Sequence, residues 1–168
     1  MTTAEFDQLA QEKKKVLLEQ CCGSSTWINK MLDSSPVKSL SELLELAEEK
    51  WYECNRKDWL EAFEHHPMIG DINSLKKKYA NTLTLAASEQ SGVNSATEET
   101  LRELSEINKA YQKKFGYIFI VCATGKSADQ MLLLIMQRFE NDQETEIKIA
   151  MEEQNKITKL RIEKLFTV

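Results

Sequence analysis

This chain has little of what breaks or staples a fold. It holds five glycines, two prolines and two histidines in 168 residues. So few breakers leave most of the chain available for helices. No apolar run approaches the roughly 20 residues needed to span a bilayer. The longest, YIFIVCA and MLLLIM, fall far short. Basic residues do not dominate either: 22 Lys and Arg against 27 Asp and Glu give a formal net charge of −5. That balance argues against a nucleic-acid partner, and the short run Lys76, Lys77, Lys78 reads as a solvated helix face. The four cysteines, Cys21, Cys22, Cys54 and Cys122, form no CxxC pair, and adjacent cysteines bridge each other only with strain. A reduced, intracellular chain is the simplest reading. The stretch MTTAEFDQLAQEKKK is charged and amphipathic, unlike a signal peptide, and LFTV matches no retention or peroxisomal signal. The expectation is a cytoplasmic protein with no membrane and no nucleic-acid partner.

What is present points to helices. Length, with 42% hydrophobic and 29% charged residues, predicts one domain over 1–168 with its own core. Helices are expected over 12–21 and 25–33. A capping box, Ser39-x-x-Glu42, opens another that runs to about Cys54. Asp58 is read as the cap of a short helix carrying Trp59 and Phe63, and 73–86 reads as helical. Thr97 followed by two glutamates starts a helix to about Phe115. Residues 127–140 are apolar on nearly every side, as in a central buried helix, and 142–166 form the last helix. Tyr117 to Cys122 breaks the period. This compact apolar run lies between Gly116 and Gly125 and reads as a short buried extended segment. The fold class is therefore all-α with one extended segment near 117–122. A lone strand cannot form a sheet, so its backbone groups need either a neighbouring loop or a polar ligand.

Both histidines sit in one stretch, EAFEHHPMIGD. Helical spacing puts Trp59, Phe63 and His66 on one face and turns His65 about 100° away. Pro67 disfavours helical backbone at His66, so the helix should stop there. An imidazole held at a helix end, titrating near neutral pH, serves either structure or proton transfer. A metal pair is disfavoured, because adjacent residues diverge on a helix and no Cys/His/Asp cluster at ligand spacing accompanies them. In LAASEQSG, Glu89 beside Gln90 offers an acid and an amide to one planar ligand. In the last helix Ile147, Ala150, Met151, Ile157 and Leu165 read as an apolar stripe with Gln154 and Arg161 in its middle. An arginine there must pair with a carboxylate, reach the surface or face an anionic ligand. Arg138, near Glu140 and Glu146, reads as a structural ion pair.

Together HHPMIG, SEQSG, KFGYIFIVCATGKS, RFENDQETE and EEQNKITKLRIEKL resemble the successive motifs of the OHCU decarboxylase family. OHCU is 2-oxo-4-hydroxy-4-carboxy-5-ureidoimidazoline, an intermediate of urate breakdown. The resemblance covers nearly the whole chain, in order. It implies a single helical domain, a homodimer, no metal and no cofactor, with (S)-allantoin as product. It assigns catalysis to His66, Glu89 and Arg161. It assigns substrate contacts to Pro67, Ser88, Gln90 and the run Phe119, Ile120, Val121, Cys122 and Ala123. The chain departs from the family pattern at Ala86, where many members carry serine. Either that hydroxyl contact is absent or Ser88 replaces it.

The chemistry implied is cofactor-free decarboxylation. The electron pair left by CO2 can delocalise onto the ring carbonyl beside the reacting carbon. The protein then needs preset donors for an enolate, a proton-handling pair and a cation for the substrate. The rival from another class is a non-catalytic helical module that binds a purine-derived ligand in the same pocket.

Overall fold

Polar side chains start most of the helices, each by accepting an N–H that the first turn cannot pair internally. The computed structural model describes residues 1–67, 71–79 and 91–166, with 91–97 as backbone only. The helices among these residues are α1 (Thr3–Asp7), α2 (Gln11–Cys21), α3 (Ser25–Asp33), α4 (Leu40–Tyr52), α5 (Arg56–Glu64), α6 (Ile72–Lys78), α7 (Ser91–Phe115), α8 (Ala128–Phe139) and α9 (Gln143–Phe166). No strand occurs among them, and 118–123 run as non-helical chain. The fold is all-α.

Several starts differ from the sequence reading for local reasons. The cap of α5 is Asn55; Asp58 is the third residue of its capping box and accepts the Asn55 N–H at 2.9 Å. At α4, Ser39 accepts from Glu42 N–H, whereas the Glu42 carboxylate reaches back to the Lys38 N–H at 2.7 Å. Helix α7 begins at Ser91 rather than at Thr97, so Gly92 lies within it. Threonine and glutamate are start signals that a helix can also carry inside, so they do not mark the boundary of one already under way. Helix α6 ends at Lys78 with Tyr79 as its C-cap, short of the helix expected over 73–86, and residues 80–90 lie outside the described residues.

The chain groups into two compact units. One holds Met1–His66, Ile120–Cys122 and Ile147–Val168. Its core is built on two tryptophans. Trp27 donates its indole N–H to Ala47 O at 2.9 Å, and Trp51 donates to Met151 O at 2.9 Å. These bonds fasten α3 to α4 and α4 to α9, satisfying the one polar atom of each buried ring.

The other unit holds Pro67–Phe119 and Ala123–Glu146. Leu101, Leu104, Tyr111 and Ile135 fill its core around a buried carboxylate. Glu146, 0% exposed, accepts the Tyr111 hydroxyl, Arg138 Nε at 2.7 Å and Asn141 Nδ2 at 2.9 Å. Arg138 also lies 4.5 Å from the Phe119 ring centroid. Arg138 is thus the structural pair expected from sequence. Breaking one side of such a pair typically costs about 3–5 kcal/mol. Helix α8 is not buried all round: Leu133 is 61% exposed and Met136 47%. Gly116, at φ +83, and Gly125, at φ +74, bracket the non-helical run. Only glycine adopts that backbone without strain, and the Gly116 N–H closes α7 on Gln112 O at 2.9 Å.

Candidate functional site

The site grows from the end of α5. Its start is tied down twice, by the Asn55 cap and by Thr26 Oγ1, which donates to Asp58 Oδ1 at 2.7 Å. Its far end stops at Glu64, with His65 as C-cap in helical backbone. The His66 N–H closes the last turn on Phe63 O at 3.2 Å. Pro67 follows, exposed, where its ring forbids another helical turn. His66 is half-buried at that stop, as its position before proline predicts.

Its ring meets the last helix. His66 Nε2 lies 2.5 Å from Gln154 Oε1, and Gln154 Nε2 donates to Thr158 Oγ1 at 3.1 Å. Gln154 is 0% exposed. Burial is the main force on the imidazole and lowers its pKa. The Gln154 bond opposes this, while the charge of Arg161 and then His65 add to the lowering. The net effect favours the neutral ring.

Arg161 stands elsewhere on the helix than the sequence places it. The buried line of α9 runs through Ala150, Gln154, Thr158, Ile162 and Phe166. Ile157, Arg161 and Leu165 are only half-buried, on its flank. An i, i+4 line fixes a stripe only to within one residue's turn of about 100°. Arg161 Nη1 instead reaches Gln20 O at 3.4 Å and Cys21 O at 3.3 Å, the carbonyl end of α2. A cation there meets the negative end of the helix dipole. Next to it, burial pushes the Cys21 thiol up to about 11 and the Cys22 thiol up to about 12, so both stay protonated.

In the non-helical run, Ile120 is buried while Val121, Cys122 and Ala123 are half-buried. The Cys122 N–H donates to Glu153 Oε2 at 2.7 Å, so this donor already serves a carboxylate of the protein. Phe119 packs its ring against Tyr111, with centroids 5.2 Å apart, in the core described above. Ser88, Glu89 and Gln90 lie outside the described residues. The geometry thus joins His66 to Gln154 and Thr158 and sets Arg161 where its charge acts on the ring. Sequence reasoning noticed Gln154 in the apolar stripe but gave it no role. The available signal was a glutamine on a line that the core must bury. Among the described residues, no group of three or more His, Cys, Asp or Glu could hold a metal ion.

A model of the OHCU decarboxylase family matches residues 7–163. The chain belongs to the OHCU decarboxylase family. Within that family it is 42% identical over 151 residues to the uric acid degradation bifunctional protein of Arabidopsis thaliana, a match covering 88% of this chain and 45% of that protein. It is 25% identical over 173 residues to the uric acid degradation bifunctional protein of Bacillus sp. strain TB-90, covering 99% and 32%. The chain therefore spans less than half the length of either relative. A crystal structure of an OHCU decarboxylase in the presence of (S)-allantoin superposes with a TM-score of 0.69 at 37% identity, covering 94% of this chain and 99% of that one. The crystal structure of an (S)-allantoin synthase, 15% identical, shares the fold with a TM-score of 0.72 over 99% of this chain and 54% of that one.

One glycine of this OHCU decarboxylase-family chain bears on the histidines. A Cβ at Gly23 would overlap the His65 ring, whose Nδ1 bonds Glu61 O at 3.0 Å. Since a carbonyl only accepts, His65 donates there and its ring is fixed over the α2–α3 turn. Gly23→Ala must shift either that turn or the residue next to His66. The expected cost is about 1–3 kcal/mol of stability, together with reduced activity. Adding His65→Gly, which removes the ring and also the His65 Cβ that would lie 2.5 Å away, should restore most of the activity and part of the stability. Thermal melting and rate assays on the single and double variants check this.

Proposed function

We propose that this chain decarboxylates 2-oxo-4-hydroxy-4-carboxy-5-ureidoimidazoline to (S)-allantoin in urate breakdown, as a carboxy-lyase without metal or cofactor. The observation that carries the reading is His66. An imidazole that burial and the charge of Arg161 both push toward its neutral form stands at a stiff helix end. A neutral ring can take the proton of the substrate hydroxyl, and a nearby guanidinium favours an anionic substrate. Glu89 is proposed as the second member of the proton-handling pair, on the motif resemblance. Gln90, Ser88, Pro67 and the run Phe119, Ile120, Val121, Cys122 and Ala123 are assigned to hold the ring. Residues 1–168 act as one catalytic domain in the cytoplasm. No helix among the described residues is long and apolar enough to cross a membrane.

The test is to generate the substrate in situ from urate and follow optical activity. Allantoin should form faster than the spontaneous decay and as one enantiomer. Racemic allantoin at the uncatalysed rate, with folded protein present, would leave the binding-module reading instead.

We also infer a homodimer. Leu133 and Met136 lie three residues apart on α8 and expose large apolar surface on one face. Leu133→Glu with Met136→Glu should give a monomer by light scattering at micromolar concentration. A wild-type chain that is already monomeric there sinks the inference.

A further inference from the structure

We propose that Gln154 is a positioning residue of the reaction: its amide oxygen holds the Nε2–H of His66 and thereby commits Nδ1 to the substrate's proton. The inference rests on the proposed decarboxylation. An amide oxygen can only accept, so the 2.5 Å contact requires the hydrogen on Nε2. A neutral imidazole carries one ring proton, which leaves Nδ1 as the lone-pair nitrogen. The ring would otherwise divide between two tautomers, one of which points the wrong nitrogen at any given proton.

The amide must itself be prevented from turning over. Thr158 lies one helical turn along α9, and its Oγ1 accepts the Gln154 Nε2–H at 3.1 Å. Thr158 thus offers Gln154 a lone pair, which the amide NH2 answers. Gln154 and Thr158 are both buried, so no bulk water competes for either group. The chain therefore runs from Thr158 through Gln154 to the imidazole.

The choice of an amide over a carboxylate also has a consequence. A carboxylate would stabilise the imidazolium and raise the ring's pKa, whereas an amide oxygen orients the ring without adding a charge. The charged or titratable groups acting on the ring are Arg161 from α9 and His65 from its own turn, and both favour the neutral ring. Gln154 is thus suited to hold a base that must stay uncharged until it acts.

The deciding measurement is the imidazole nitrogen spectrum of 15N-histidine-labelled protein. His66 should show protonated Nε2 and bare Nδ1 in the wild type, and a mixture in Gln154→Met. In steady state, Gln154→Met should lose several-fold in kcat, in step with the fraction of the wrong tautomer, with KM nearly unchanged, since the side chain acts through His66. Gln154→Glu should keep the tautomer and move the acidic limb of kcat/KM to higher pH. A merely structural role lowers the folded fraction but moves neither the tautomer nor the limb. A wild-type ring protonated on Nδ1, or a limb unmoved in folded Gln154→Glu, overturns the proposal. If the wild-type chain fails to consume the substrate, the proposed function falls, while the tautomer spectrum still judges Gln154 separately.

Discussion

His66→Ala should abolish most of the acceleration, a loss on the order of a hundred- to ten-thousandfold in kcat, with the fold retained. The imidazole is the base in the proposed reaction, and no other described side chain occupies its place at the end of α5. The fold should survive because the ring makes a single described hydrogen bond, to Gln154. Losing it leaves the buried Gln154 oxygen unpaired, at a cost of about 1–3 kcal/mol. At this chain length that is a fall of roughly 2–4 °C in melting temperature per kcal/mol. His65→Ala should be mild, because its ring is exposed and bonds only the Glu61 carbonyl. The check is the rate of (S)-allantoin formation beside the melting temperature for each variant. Equal losses from the two histidines would instead indicate a shared structural or metal role.

Arg161→Met should cost about a hundredfold or more in kcat/KM while changing stability little. The sequence admits three partners for this charge: a carboxylate, the surface or the substrate. Its described bonds are of another kind, to the last carbonyls of α2. A half-exposed cation at a helix C-terminus contributes about 0.3–1 kcal/mol, so its loss should lower the melting temperature by only a few degrees. Among the described residues no carboxylate pairs with Arg161, so none of them is left buried and unpaired by the change, which is where a large penalty would arise. The substitution should also shift the pH profile. Arg161 holds the His66 pKa down, so removing it lets the imidazole charge at higher pH. Activity that needs the neutral ring is then lost earlier on acidification, and the acidic limb of kcat/KM moves up. A large fall in melting temperature with near wild-type activity would make Arg161 a structural cap and remove it from the site.

Much of the molecule follows from the sequence alone, and for one reason: helices are written locally. Caps such as Ser39 and Ser127, an apolar period of 3.6 and the scarcity of glycine decide where helices run within a few residues. Pro67 likewise stops α5 beneath His66 through a steric rule that acts between neighbours. Motif order along the chain identifies the family before any distance is known. Other features depend on residues far apart in sequence. Gln154 meets His66 across 88 positions, and Arg161 meets Cys21 across 140. Gly23 makes room for a ring that follows it only after several helices. Periodicity could not separate Ile157 from Thr158 as the buried residue of α9, because one residue's turn is smaller than the width of an apolar stripe. Packing against Trp51 and the α2–α3 turn chose that rotation. It turned Gln154 inward as the partner of His66 and left Arg161 on the flank, because side chains on a helix share one rotation and only the neighbours it packs against can select it.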